Sequence, residues 1–249
     1  MSKTILVKVH RGDATGGQLV DYQVELDSGM VVLDIVHRIQ ATQAPDLACR
    51  WNCKAGKCGS CAAEINGEPK LMCMTRMDTL DTTQPLIIEP PRAFPTIRDL
   101  VADVSWNFEV NKKIPPFKPR PRAADGTHRM FQYEVERSQE FRKCIECFLC
   151  QDVCHVIRNH QKFEDFAGPR FQQRLASLEM HPLDTEDRLK LIHEMFGVGF
   201  CNITKCCTEV CPENIRITDN AIIPLKERVA DRYYDPIQML FRVLRGSKK

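Results

Sequence analysis

Cys53-Lys-Ala-Gly-Lys-Cys58-Gly-Ser-Cys61 puts three thiols on one short loop, spaced C-x4-C-x2-C, and Cys73 returns a fourth. Thiolates are soft ligands, so four of them converging on one loop is metal-binding chemistry. Gly56, Gly59, Ser60 and Ala62 are small enough for the backbone to turn tightly there and aim its N–H groups at the sulfurs. Further on, Cys144, Cys147, Cys150 and Cys154 repeat the theme as C-x2-C-x2-C-x3-C. A third group, Cys201, Cys207 and Cys211, ends with Pro212.

These are the plant-type and bacterial ferredoxin spacings. The first group predicts a [2Fe–2S] cluster on Cys53, Cys58, Cys61 and Cys73. In two-cluster ferredoxins the fourth cysteine of each run serves the other cluster. Cys144, Cys147 and Cys150 are then completed by Cys211, giving a [4Fe–4S] cluster. Cys154 joins Cys201 and Cys207. A full third run would carry cysteine at position 204, where the chain has Thr204. A hydroxyl is a poor substitute for a thiolate at an iron corner, so Cys154, Cys201 and Cys207 predict a three-iron [3Fe–4S] centre. Cys206 could supply a fourth thiolate and convert that centre to [4Fe–4S], although adjacent side chains usually point different ways. Cys49 lies outside the motif and reads as a small packed side chain. Four cysteines could also hold zinc, but the x4 spacing and the glycine-rich wrap favour iron.

With 249 residues and 43% apolar composition the chain can fill one large core or two modest ones. A net charge of +2 gives no whole-protein field for nucleic acid. Thirteen cysteines, an odd count with C-x2-C repeats and no export signal at the start, argue for thiolate clusters rather than disulfides. No stretch reaches the roughly 18–20 apolar residues of a membrane span.

Residues 4–11 and 19–26 read as two strands around a turn at Gly16-Gly17. Asp27-Ser28-Gly29 offers a helix start, and Val32, Ile35, Val36 and Ile39 share one helical face after it. Asn66-Gly67 marks a tight hairpin beyond the cysteine loop, and Leu86-Ile87-Ile88 a final strand before Pro90-Pro91. This order predicts an α+β chain. Residues 1–105 form a β-grasp plant-type ferredoxin domain, and residues 106–249 a mostly α-helical, bacterial-ferredoxin-like domain carrying the other two clusters. Residues 111–122 have the proline-rich, basic composition of a solvated linker. Phe171, Leu175 and Leu178 share a helical face, and so do Leu189, Ile192 and Met195 after a cap at Asp184. Residues 225–246 continue with helical spacing into a basic end. Trp51 and Trp106 read as packing residues.

The chain closely resembles the iron–sulfur subunit of succinate dehydrogenase and fumarate reductase. The resemblance rests on Cys53 to Cys61, similar to that family's C-R-E-G-x-C-G-S-C/D loop, and on Ile97-Arg-Asp-Leu-Val-Ala-Asp-Val-Ser. It also rests on Cys144-Ile-Glu-Cys147-Phe-Leu-Cys150 and Cys207-Thr-Glu-Val-Cys211-Pro212. It implies an electron-transfer subunit of succinate:quinone oxidoreductase, with quinol:fumarate reductase as the alternative direction. Succinate would be oxidised at FAD in a flavoprotein subunit, and electrons would pass through [2Fe–2S], [4Fe–4S] and [3Fe–4S] clusters toward quinone in a membrane anchor subunit. The dicarboxylate site is then expected on the flavoprotein. No dinucleotide fingerprint, nucleophile elbow or P-loop occurs here. Its location would be peripheral, on the cytoplasmic face of a bacterial plasma membrane, held by partner subunits. Other readings of the cysteines are a free-standing ferredoxin-like carrier and a zinc-stabilised interaction module.

The chain departs from that family at one place. Where many members follow these cysteines with Pro, Trp and His at a quinone pocket, this chain has His155, Asn159 and Asn202. The expectation is that quinone does not dock beside the three-iron centre in the common way, and that the anchor receives the electron differently.

Overall fold

The computed structural model describes residues 3–237 and 239. Strand β1 (Lys3–Asp13) pairs antiparallel along its whole length with β2 (Gly16–Leu26), and parallel with β5 (Leu86–Glu89) through Val7 to Val9. Between them in sequence come α1 (Val32–Thr42) and the hairpin of β3 (Ala62–Ile65) and β4 (Glu68–Leu71). Two short strands, β6 (Thr96–Arg98) and β7 (Val101–Ala102), complete a seven-stranded mixed sheet ordered β4-β3-β5-β1-β6-β7, with β2 also on β1. Strand alternation sends Ile5, Val7 and Val9 inward, and α1 lays Leu33, Ile35, Val36 and Ile39 over them. A sheet with one helix across it and the cysteine loop at its end is the anticipated β-grasp arrangement.

The hairpin turn at Asn66-Gly67 forms as read, with φ of 52° and 81° at the two positions. The first turn does not. Asp13 faces Gly16 in the ladder, so the loop is Ala14-Thr15. The Asp13 carboxylate accepts from the Thr15 amide at 2.8 Å and its hydroxyl at 2.6 Å, and so closes the turn ahead of the glycines. Asp27 does not cap α1 either. Asp34 reaches back to accept the Val31 amide at 3.0 Å, and the helix starts at Val32.

Beyond α2 (Ser105–Lys112) the described chain has short helices around the remaining cysteines. They are α3 (Gln132–Gln139), α4 (Leu149–Asp152), α5 (His155–Arg158), α6 (Pro169–Glu179), α7 (Cys206–Glu209) and α8 (Ile223–Tyr233). Phe171, Leu175 and Leu178 are buried on α6, on the expected face. Leu189 and Ile192 are buried too, on helical backbone that starts at Leu189 and widens over 191–195, which leaves Met195 half exposed. The reading of 225–246 is met by α8 as far as Tyr233; the helix is broken at Tyr234 and Asp235 before helical backbone returns at 236–237, and residues 238 and 240–249 lie outside the described ones. Among the described residues no helix is long and apolar enough to cross a membrane.

Residues 111–122 are not a free linker. The fully buried Arg188 guanidinium donates to the Pro115 carbonyl at 3.1 Å and the Pro116 carbonyl at 2.7 Å, and pairs with buried Asp184 at 2.9 Å. The Thr185 amide donates to the Lys118 carbonyl at 2.9 Å. A buried guanidinium needs an acceptor for each of its N–H groups, and the two proline carbonyls are among them. Arg188→Ala would leave Asp184 buried without its counter-ion. It is expected to cost about 3 kcal/mol, read as a lowered Tm of the assembled protein. An unchanged Tm would show that the clamp contributes nothing.

Candidate electron-transfer site

The first four thiols meet between α1 and the β3–β4 hairpin. Cys53 is exposed, Cys58 half-buried, and Cys61 and Cys73 buried. Cys58 lies beside Cys53, and Cys61 beside both Cys58 and Cys73. Left-handed backbone at Lys54, Gly56 and Gly59 curls the loop. That curl aims the Ala55 and Lys57 amides at the Cys53 sulfur, at 3.4 and 3.2 Å. The Ser60 hydroxyl stabilises the Cys58 thiolate and draws its pKa down to about 6. Burial drives Cys61 the other way, to about 12. Cys49 packs against the sheet core, where burial alone lifts its thiol to about 12.

Cys144, Cys147, Cys150 and Cys211 line one cavity with Ile145, Phe148, Ile215 and Ile217. Cys211, from beyond α7, stands among the thiols of the second run. Its sulfur accepts the Ile215 amide at 3.4 Å. Burial raises Cys147 to about 12 and Cys150 well above its ordinary range.

Cys154, at the start of α5, has Cys206 and Cys201 as neighbours, and Cys207 has Cys206, Cys201 and Cys154. The structure thus gathers four thiols, not three. Cys206 is engaged by the Thr204 hydroxyl at 3.3 Å, whereas the Cys207 sulfur meets Thr218 Oγ1 at 3.4 Å. Ile203 and Lys205 both take positive φ, 64° and 65°. A β-branched residue in that region is strained, and the two kinks fold the 201–206 loop back on itself. His155 is half-buried with its ring 6.2 Å from His160, and Asn202 is exposed. Trp106 packs edge-on against Phe163 at 4.9 Å, as anticipated, while Trp51 is half exposed and carries the Lys54 ammonium 4.5 Å over its ring.

The donor chemistry fits iron–sulfur clusters. All thirteen cysteines are free thiols, and backbone amides point at the sulfurs. Among the described residues no three His, Cys, Asp or Glu side chains close to the spacing of a one-ion site. A core of several irons and sulfides holds its thiolates further apart than one ion does.

Polar ties hold the sheet half and the helical half together around these groups. Glu64 on β3 is fully buried, and Arg158 reaches both its oxygens at 2.8 and 2.9 Å, with Arg92 at 3.3 Å. Burial raises the Glu64 carboxyl, and the two guanidiniums pull it back toward ionisation. Asp152 on α4, lifted to about 7 by burial, accepts the Ala93 amide at 2.9 Å. Leu149 from α4 enters the sheet core, and Lys57 pairs with Glu213 at 2.9 Å. None of these partners was legible in the sequence.

A model of 2Fe-2S iron-sulfur cluster binding domains matches residues 5–109, and a 4Fe-4S dicluster domain matches residues 140–215. These matches define the chain as an iron–sulfur protein with both kinds of cluster-binding domain. The fumarate reductase iron-sulfur subunit of Mycobacterium tuberculosis is 34% identical over 201 residues, 78% of this chain and 79% of its own. In the solved Mycobacterium smegmatis Sdh1 complex in the apo form, one chain is 63% identical, with a TM-score of 0.91 over 95% of this chain and 100% of that one. An uncharacterized iron-sulfur protein of Methanococcus maripaludis is 32% identical over 85% of this chain, which spans only 42% of that relative. The chain belongs to the family of fumarate reductase and succinate dehydrogenase iron–sulfur subunits.

Arg158→Ala would remove the closer counter-ion of a fully buried carboxylate. A loss of about 3 kcal/mol is expected, with Arg158→Lys recovering part of it in thermal unfolding. Equal stability of all three proteins would mean that Arg92 alone satisfies Glu64.

Proposed function

We propose that this chain is the electron-transfer subunit of a succinate:quinone oxidoreductase. It receives electrons from an FAD-containing flavoprotein subunit and delivers them toward quinone in a membrane anchor. The observation that supports this best is that the thiol groups are contiguous. Lys57 beside Cys58 pairs with Glu213 beyond Cys211 across the two halves, and Cys150 of the second group has Cys207 of the third as a neighbour. A chain of closely spaced one-electron sites is a wire. The relative of known structure at 63% identity favours the succinate direction over fumarate reduction.

On this reading the domains divide at residues 105 and 106. Cys53, Cys58, Cys61 and Cys73 hold [2Fe–2S], and Cys144, Cys147, Cys150 and Cys211 hold [4Fe–4S]. Cys154, Cys201 and Cys207 hold [3Fe–4S]. Clusters supply one-electron redox chemistry; the chain supplies ligands, amide hydrogen bonds and exclusion of water, which set their potentials. Dicarboxylate chemistry belongs to the flavoprotein. The subunit sits at the cytoplasmic face of a bacterial plasma membrane through its partners. With His155, Asn159 and Asn202 near the third group, quinone does not rest against this subunit in the family's common manner. Quinone bound against His155 and Asn202 in the assembled complex would contradict that.

Cys206 remains outside the third cluster on this reading. In the anaerobically purified complex, Cys206→Ser is expected to keep the EPR signal of an oxidised three-iron centre, and Cys207→Ser to abolish it. Loss of cluster iron in Cys206→Ser would assign a fourth ligand and a four-iron centre. Co-purification with no flavoprotein would leave only a free-standing carrier.

A further inference from the structure

The geometry points to Gly59 as a positioning residue for electron transfer between the first and second clusters, because its missing side chain lets the [2Fe–2S] loop rest directly on Cys147. A Cβ at Gly59 would lie 2.6 Å from the Cys147 Cα and 2.9 Å from both its Cβ and its amide nitrogen. These are atoms of a cluster ligand and its backbone, with no rotamer by which to move away. Gly59 also has φ of +70°, in the left-handed region.

The opposing loop cannot easily give way. Cys147 stands between Glu146 and Phe148, two non-glycine residues at φ of 56° and 60°. Glu146 is paired with buried Arg170, and the Phe148 ring meets Phe108 edge-on at 5.9 Å. The Lys57–Glu213 pair ties the first cysteine loop to the segment beyond Cys211, which lines the same cavity as Cys147. Any side chain at position 59 must therefore push the loops apart.

Gly56 provides an internal control on the same loop. Its φ is +65°, nearly the same backbone demand, but the three atoms nearest its added Cβ all belong to the Met74 side chain, the sulfur at 2.8 Å, Cγ at 2.9 Å and Cε at 3.5 Å. Met74 is 58% exposed and can swing away. A substitution at Gly56 tests backbone strain alone, and one at Gly59 adds separation of the loops. Tunnelling and magnetic coupling between two centres both fall steeply with distance.

This inference rests on the cluster assignment proposed above, and the test separates the two. In the intact complex, Gly59→Ala and Gly59→Asn are compared with Gly56→Ala and Gly56→Asn; asparagine accepts left-handed backbone more readily than alanine. Iron and sulfide per chain, Tm, and the relaxation enhancement of the reduced [2Fe–2S] EPR signal by the reduced [4Fe–4S] cluster are measured for each. The Gly59 variants are expected to lose that enhancement several-fold at full iron content, while the Gly56 variants keep the wild-type value. Failure of both Gly59 variants alone to assemble would equally show the steric requirement. Wild-type enhancement in fully loaded Gly59 variants, or equal damage at both glycines, would overturn the inference. Absence of the two signals from the wild-type complex would instead overturn the cluster assignment.

Discussion

A cysteine sulfur taken out of water keeps its proton unless a cation compensates the thiolate, and this constraint governs the cysteine loops on which the rest is built. Burial lifts Cys61, Cys147 and Cys207 to about 12 and Cys154 to about 11. Packing such groups beside one another gains little by itself, since each ionised thiol repels the next. Iron reverses that balance, and metal binding becomes part of the folding free energy. The strained positions at Lys54, Glu146, Phe148, Ile203 and Lys205 all lie in the cysteine loops, where bound metal would hold them.

The sheet half and the helical half are joined closely by contacts of a different kind. Charged or polar anchors at Glu64, Asp152 and Glu213 fix the two halves to each other around the first and second thiol groups. A small core of Ala93, Phe94 and Ala102 with Phe148, Ile157 and Phe166 draws on both sides of residue 105. Exposed polar ties alone would contribute little; the buried Glu64 site and the shared apolar packing give the junction its rigidity. Spacing between the thiol groups is thereby set by side chains outside those groups.

Much of the fold could be read from residues whose conformational demands are local. Asn66-Gly67 announces its turn because both positions need positive φ, and the Val32, Ile35, Val36 and Ile39 face of α1 follows from helical periodicity alone. Cysteine spacing identified the three thiol groups, since ligand geometry constrains sequence separation. What depended on tertiary partners was not legible. The Ala14-Thr15 turn is local by contrast: the Asp13 carboxylate bonds to Thr15 two residues on, a signal that a glycine-based reading passes over, and β6 and β7 are too short to carry a pattern. Docking of residues 111–122 required a buried Arg188 far along the chain, and Leu149 in the sheet core gave no sign of its destination. The gathering of Cys206 with Cys154 and Cys201 came from left-handed kinks at Ile203 and Lys205, which side-chain type does not announce.

Mössbauer spectroscopy of the complex, grown on iron-57 and isolated without oxygen, tests the central claim most directly. The account predicts about nine irons per chain, resolved into two-iron, four-iron and three-iron components. A spectrum with iron missing from one of the three components, or zinc in place of iron in the purified protein, would contradict it.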